Sequence, residues 1–274
     1  MNSDDFSYLS GMLKTASGLV LTKEKTYLLE SRLNPIANRR NFSSLEALVR
    51  EVRKGDDPAL QKEVVEAMTT NESFFFRDKS PFDSFRESVL PELLKLKAHR
   101  RQLRIWCAAA SNGQEPYSLA MILKDMGAQL NGWNIEILGT DIATNVIERA
   151  KMGLYSQFEV QRGMPIQMLI KYFSEVGDMW QVSPEIRNMV TFKPFNLLDS
   201  YATLGSFDVV FCRNVLIYFD QDTKADVLTR LAQIMPDHGS LFLGAAETVL
   251  GLCPKFRPVP GKRGVYCLEP QKVH

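Results

Sequence analysis

The chain has 274 residues, 45% hydrophobic and 24% charged, with a formal net charge of +1. Such a composition buries a real core and excludes a disordered chain. Near-neutrality leaves no overall electrostatic footprint for nucleic acid. Cys107, Cys212, Cys253 and Cys267 are not paired at metal spacing and only three histidines are present, so no metal site is expected. The first residues, MNSDDFSYLSG, are acidic and polar, unlike a secretory signal. No apolar run reaches the roughly 18 residues a membrane helix needs. These features predict a reduced, cytoplasmic, monomeric chain with no direct membrane insertion. At this length, one domain of about 190 residues with a smaller companion is expected.

Residues 1–80 carry helical spacing. Phe6, Leu9 and Leu13 share a face, and Gly18 is placed to end that helix. Thr22 is placed to cap a second helix through TYLLESRL, which Pro35 would stop or bend. Leu45, Leu48, Val49 and Val52 form a stripe behind the cap residue Ser44. Asp57-Pro58 opens a fourth helix with Leu60, Val64 and Met68 inward. The expectation is an all-α N-terminal domain over 1–80, balanced at twelve basic and twelve acidic residues. Within it, SRLNPIANRRNFS holds Arg32, Arg39 and Arg40 with no acid. That is either an ordinary solvated face or a basic patch for an acidic protein partner. TTNESFFFR follows at 69–77, three phenylalanines between a polar run and Arg77.

Ser80-Pro81-Phe82-Asp83 has a cap, a proline and an acid where a helix start prefers them, giving a linker helix over about 80–98. From 103 the pattern changes. LRIWCAAA, IEILGTDI, VTFKPFNL, FDVVFCRNVLIYF and SLFLGAA read as short strands. SNGQEPYSLAMILKDM, TNVIERAK and TKADVLTRLAQIM read as helices between them. This alternation predicts an α/β domain over 99–274, a parallel sheet covered on both faces. FRPV and VYCLE, joined through PGKRG, read as an antiparallel hairpin on its edge.

Open parallel sheets bind ligands at the carboxyl ends of their strands. The first strand ends in Ala108-Ala109-Ala110-Ser111-Asn112-Gly113, small residues that let a ligand approach the backbone or let strand and helix pack tightly. Only one glycine is present, so the dinucleotide fingerprint is absent, and there is no P-loop. Asp141 ends the second strand, placed either to bind ribose hydroxyls or to cap the next helix. Glu115 suits a cationic ligand group or the helix N-terminus. A small-residue turn with two acids favours an adenosyl ligand without pyrophosphate, S-adenosylmethionine above NAD.

NESFFFR at 71–77, AAASNGQEPYSLAM at 108–121, TDI at 140–142, FNLLD at 195–199 and FCRNVLIYFD at 211–220 resemble the chemotaxis receptor methyltransferases, the CheR family. The resemblance covers nearly the whole chain. It implies a Rossmann-like S-adenosylmethionine-dependent methyltransferase domain behind an all-α domain, with a small antiparallel insert at about 155–195. It implies methyl transfer to glutamates of membrane chemoreceptors, leaving S-adenosylhomocysteine, in chemotactic adaptation. Carried over by position, the cofactor contacts are Asn71, Ser73, Arg77, Glu115, Asp141, Asn196, Leu197, Arg213 and Asn214, with Arg77 and Tyr218 as catalytic residues and Tyr218 beside the methyl group. The phenylalanines would wall off water around Arg77; the plainer reading is a hydrophobic hinge with Arg77 in a structural ion pair. Ser73 stands where the family has threonine, and Gln114 replaces the first glutamate of a pair. Gly244-Ala245-Ala246-Glu247 lacks the His-Ser often seen before that glutamate, and no role is assigned to it.

A glutamate with a pKa of about 4.3 is ionised at neutral pH, so its methylation requires no general base. Arg77 and Tyr218 are therefore expected to orient the carboxylate. Two other classes remain: an amine or nucleic-acid methyltransferase, and a catalytically silent cofactor-sensing module. Asn214-x-x-x-Tyr218 is similar to the Asn-Pro-Pro-Tyr loop of the former, but Val-Leu-Ile stands in the middle. In some family members the insert captures a receptor tail by strand addition. Here MWQV and VTFKP are its expected strands, and only SEVGD connects Phe173 to Met179. The expectation is no tail binding, with Arg32, Arg39 and Arg40 meeting the receptor's methylation helices instead.

Overall fold

The computed structural model describes residues 2–269. Four helices come first: α1 (Ser3–Ser17), α2 (Thr26–Arg39), α3 (Leu45–Lys54) and α4 (Pro58–Met68). Their starts follow the local chemistry. Asn2, Ser44 and Asp57 accept hydrogen bonds from the N–H groups of Asp5, Ala47 and Leu60. Gly18, at φ +76°, ends α1. Leu9, Leu13, Leu33, Leu48, Val49 and Val64 close the bundle core.

The structure departs from two helix expectations. Thr22 heads only a short 3-10 turn, Lys23–Lys25, and α2 starts at Thr26. Pro35 does not stop α2, which runs on to Arg39. The proline withdraws one N–H, but the carbonyl left over belongs to exposed Ser31, where water serves.

The linker is α5 (Ser80–Ser84), a π turn (Phe85–Val89) and α6 (Leu90–Leu96). Lys79, not Ser80, takes the N-cap position. Pro91 has no N–H to offer, and the Leu90 N–H reaches back five residues to the Phe85 carbonyl, which widens the helix locally.

The larger domain follows as β1 (Gln102–Ala108), α7 (Gln114–Asp125), β2 (Asn134–Asp141) and α8 (Thr144–Met152). An insert comes next: β3 (Leu154–Ser156), α9 (Gln157–Gln161), α10 (Ile166–Tyr172), β4 (Phe173–Val176), β5 (Met179–Val182) and α11 (Pro184–Arg187). β6 (Val190–Pro194), β7 (Val209–Cys212), α12 (Gln221–Gln233), β8 (Ser240–Leu243), β9 (Phe256–Pro258) and β10 (Val265–Leu268) complete it. The main sheet runs β6-β2-β1-β7-β8-β10-β9. Its first five strands are parallel, and β10 is antiparallel to both neighbours. The fold is thus an all-α domain joined to a Rossmann-like domain, as the sequence predicts. Leu103, Ile105 and Cys107 of β1 face one core, and Trp106 and Ala108 face the other. The chain order reverses between β1 and β7, which opens a crevice at their carboxyl ends.

The insert is a separate antiparallel sheet, β3-β5-β4. MWQV is its central strand. VTFKP is not part of it: that segment is β6, parallel to β2 with Val190 opposite Ile137. SEV lies inside β4, so only Gly177-Asp178 turns the hairpin. FDVVFCRNVLIYF is likewise not one strand. β7 stops at Cys212, Asn214 turns to φ +59°, and Leu216–Tyr218 form a 3-10 turn.

Candidate active site

A cleft open to solvent lies at the carboxyl ends of the parallel strands. Asn71, Ser73, Arg77, Glu115, Asp141, Asn196, Leu197, Arg213, Asn214 and Tyr218 all line it. The helical domain adds Ser17, Leu19, Thr69 and Thr70, which sequence reasoning missed.

The turn from β1 to α7 is shaped for close approach. Ala109 and Ser111 sit at φ +64° and +51°, and Gly113 at +90°. A Cβ on Gly113 would lie 3.0 Å from both Ala150 Cβ and Phe192 Cζ. Left-handed alanine and serine cost on the order of 1 kcal/mol each, and such strain persists where surroundings over-determine it. Asp141 supplies part of that restraint. Its Oδ2 accepts from the Ser111 N–H at 2.9 Å and its Oδ1 from the Ala143 N–H at 3.0 Å. Asp141 therefore ties two strand ends together and does not cap α8. That N-terminus is served by Glu66 of α4, which accepts from the Thr144 N–H and hydroxyl at 3.0 and 2.8 Å. Burial pushes the Asp141 carboxyl above the ordinary aspartate range, against the pull of its backbone donors.

Arg213 is the hub of the opposite wall. It donates to Glu115 Oε2 at 2.8 Å, to Asp78 Oδ2 at 2.7 Å and to the Arg77 carbonyl at 2.9 Å. The segment from Asn71 to Asp78 is pinned twice more. Ser111 Oγ donates to the Asn71 carbonyl at 2.6 Å, and the Phe76 N–H donates to Ser118 Oγ at 3.0 Å.

The three phenylalanines do not wall in Arg77 together. Phe75 is sealed in the larger core, edge-on to Tyr155 and Phe173. Phe76 turns toward Phe82. Only Phe74 lies under the Arg77 guanidinium, 5.6 Å from its ring centre, and Arg162 stands 4.4 Å over the same ring. Among the described residues Arg77 makes no structural ion pair; it donates to the Glu72 carbonyl at 2.9 Å.

Asn196 lines the cleft, yet its amide donates to the Ala16 carbonyl at 2.7 Å and its side-chain oxygen accepts from Leu198. Tyr218 is gripped by the helical domain through its own carbonyl, which accepts from the Val20 N–H at 2.9 Å. Lys14 pairs with Asp220 at 2.6 Å close by. Glu247, given no role by the sequence, accepts four backbone N–H groups around this loop.

The three arginines expected to form a basic patch lie outside the cleft, and two of them are paired with acids. Arg39 and Arg40 both bind Glu63, and Arg40 also approaches Asp57 at 3.4 Å. Arg32 clasps the end of α4 through the Met68 and Thr69 carbonyls at 2.7 and 2.9 Å. The acids come from α4, which a local reading of SRLNPIANRRNFS cannot see.

Glu72, Glu115 and Asp141 set three carboxylates against the two guanidiniums of Arg77 and Arg213, a net charge of −1 along the cleft. S-adenosylmethionine combines a sulfonium, an ammonium and a carboxylate, one net positive charge. With the small, left-handed Ala109 and Ser111 at the wall, the donor set fits that ligand.

The CheR methyltransferase SAM binding domain matches residues 71–265, and the CheR all-alpha domain matches residues 4–69. The chain belongs to the CheR methyltransferase family. Chemotaxis protein methyltransferase Cher2 of Pseudomonas putida is 40% identical over 265 residues, 95% of this chain and 96% of that protein. Chemotaxis protein methyltransferase 1 of Pseudomonas aeruginosa is 41% identical over 266 residues, 95% and 96% of the two chains. The relative named chemotaxis protein methyltransferase in Vibrio anguillarum is 38% identical over 268 residues, 97% and 96%. Among solved structures, PKMT2 from Rickettsia typhi overlays with TM-score 0.34 and 17% identity, over 52% of this chain and 21% of that one. The cofactor of this CheR methyltransferase is S-adenosylmethionine, and its activity is methyl transfer in chemotaxis. No helix among the described residues is long and apolar enough to cross a membrane.

Proposed function

We propose that this CheR methyltransferase esterifies specific glutamate side chains of membrane chemoreceptors. The observation that carries the reading is the convergence of Arg77 and Tyr218, from distant segments, on the cleft that also holds Glu115 and Asp141. Bound S-adenosylmethionine supplies an electrophilic methyl group. Everything else falls to the chain. Glu115 and Asp141 meet the cationic and ribose ends of the cofactor. Asn71 and Ser73 hold it from the linker side, while Asn214, Leu197 and the Asn196 backbone close the far wall.

The incoming glutamate is already ionised, so alignment and partial exclusion of water supply the rate. Opposite charges cancel as the methyl moves, and a tight cation would stabilise the ground state more than the transition state. Arg77 suits this demand: its guanidinium is half-exposed and held by one carbonyl, so it orients a carboxylate without trapping it. Tyr218 moves no proton; it stands at the methyl as a shaped wall with a polar tip. Mass spectrometry of receptor incubated with enzyme and cofactor tests the reading. Methyl groups located on glutamate support it, and methyl groups located only on lysine would overturn it.

A further inference from the structure

We propose that Glu247, in the turn after β8, is a positioning residue for methyl transfer that acts through the loop carrying Asn214 and Tyr218. The proposal rests on the reading of this cleft as the transfer site. Glu247 is buried, at 9% exposure, and does not line the cleft itself. Its Oε2 accepts from the N–H groups of Gly244 at 2.7 Å and Asn214 at 2.8 Å. Its Oε1 accepts from Val215 at 2.9 Å and Ile217 at 3.3 Å. Three of the four donors follow β7, Asn214 and Val215 before the 3-10 turn and Ile217 within it, where no strand ladder takes them.

A carboxylate accepting from N–H groups makes charge-assisted bonds, roughly twice as strong as neutral ones. Four of them gather the loop around one anion, as a backbone nest holds a bound anion. They hold Asn214 at φ +59°, a left-handed conformation that asparagine adopts more readily than most residues. Tyr218 follows directly, its N–H on the Val215 carbonyl at 3.2 Å. Gly244 makes the arrangement sterically feasible. A Cβ there would lie 2.7 Å from Asn214 Nδ2 and 2.8 Å from Glu247 Oε2. The side-chain positions of Asn214 and Tyr218 therefore depend on a carboxylate that touches neither cofactor nor substrate.

Glu247→Gln keeps the shape but replaces one oxygen with an NH2 group. In either orientation that group faces two N–H donors, and two bonds are lost. A displacement near 1 Å costs about a hundredfold in rate. The test measures kcat and KM for methyl transfer to chemoreceptor membranes, per folded molecule, with amide exchange at Asn214, Val215 and Ile217. Expected are a kcat lower by about a hundredfold, a receptor KM within about threefold, and faster exchange at the three amides. In a background carrying Asn214→Ala and Tyr218→Ala the same substitution should cost less than about fivefold, because both side chains it positions are already gone. An unchanged kcat per folded molecule, unchanged exchange, or an equal loss in both backgrounds would each overturn the proposal. A fully active Tyr218→Ala enzyme with Glu247 intact would instead sink the underlying reading of the cleft.

Discussion

Arg213 Nη1 lies 2.8 Å from Glu115 Oε2, with the two side chains only 2% and 11% exposed. The pair joins β7 to α7, and through Asp78 and the Arg77 carbonyl it also holds the segment that carries Arg77. Removing one partner strands the other as a buried charge. Arg213→Met should therefore cost about 3–5 kcal/mol of stability, read from urea unfolding.

The same pair sets a pH dependence. Burial pushes the Glu115 carboxyl up from its ordinary 4.5, with the Arg213 charge opposing. A carboxyl raised in the folded state contributes stability that is present below the unfolded value and lost as pH rises through the folded one. Cofactor affinity runs the other way, because the ionised form meets the cofactor's ammonium. Calorimetry from about pH 8 down to about pH 5 should show affinity falling at a pH above the ordinary glutamate range. Glu115→Gln should bind weakly, with a flat profile over the same range.

Asp141 should be worth more than its ligand contact. Asp141→Ala leaves the Ser111 and Ala143 N–H groups without an acceptor, at about 1–3 kcal/mol for each group left unpaired in the interior. S-adenosylmethionine at a hundredfold excess over Kd should stabilise the unaltered protein by about 2.7 kcal/mol, while NAD and ATP add nothing. In Asp141→Ala most of that shift should vanish, and a full shift would remove Asp141 from the cofactor site.

What the sequence made legible was local. The five parallel strands are short apolar runs bounded by turn residues, and the caps Ser44 and Asp57 act within three residues of themselves. The cleft was legible because each of its segments carries a compact motif. What stayed hidden was every partnership between distant segments. Glu63 pairs with Arg39 and Arg40, Glu66 caps α8, Asn196 spends its amide on Ala16, and Glu247 gathers the loop after β7. No spacing rule announces these, because the chain between the partners is long. Pro35 misled for a different reason: its cost falls on an exposed carbonyl, and solvent exposure cannot be read at that position without the fold.

Arg77 and Phe75 should separate function from stability although they are two residues apart. Arg77→Ala removes a half-exposed side chain with one carbonyl bond, so stability should move by no more than about 0.5 kcal/mol while methyl transfer is lost. Phe75→Ala empties a sealed core position and should cost about 3–5 kcal/mol, with activity per folded molecule largely kept. Urea unfolding and transfer rates on the same preparations check both.

Receptor recognition should not run through a basic patch. Arg39 and Arg40 share Glu63, and Arg40 also reaches Asp57; the Glu63 carboxyl is pushed up by burial but held below its ordinary value by the two guanidiniums. Arg39→Ala with Arg40→Ala should leave the methylation rate within about twofold, because rim charges that are already paired steer little. Strand addition also has little to work with: the outer strands β3 and β4 are three and four residues long, and two residues turn the β4–β5 hairpin. Calorimetry with an isolated receptor tail peptide should show no binding, and micromolar affinity would overturn that expectation.

The most direct test of the whole account is transfer of labelled methyl groups from S-adenosylmethionine to membranes carrying chemoreceptors, followed by mild base. Glutamate esters hydrolyse under base and methylated amines do not. The account predicts label on the receptor that base releases as methanol, and no label with Arg77→Ala. Label that survives base, or no transfer from an enzyme that demonstrably binds the cofactor, would contradict it.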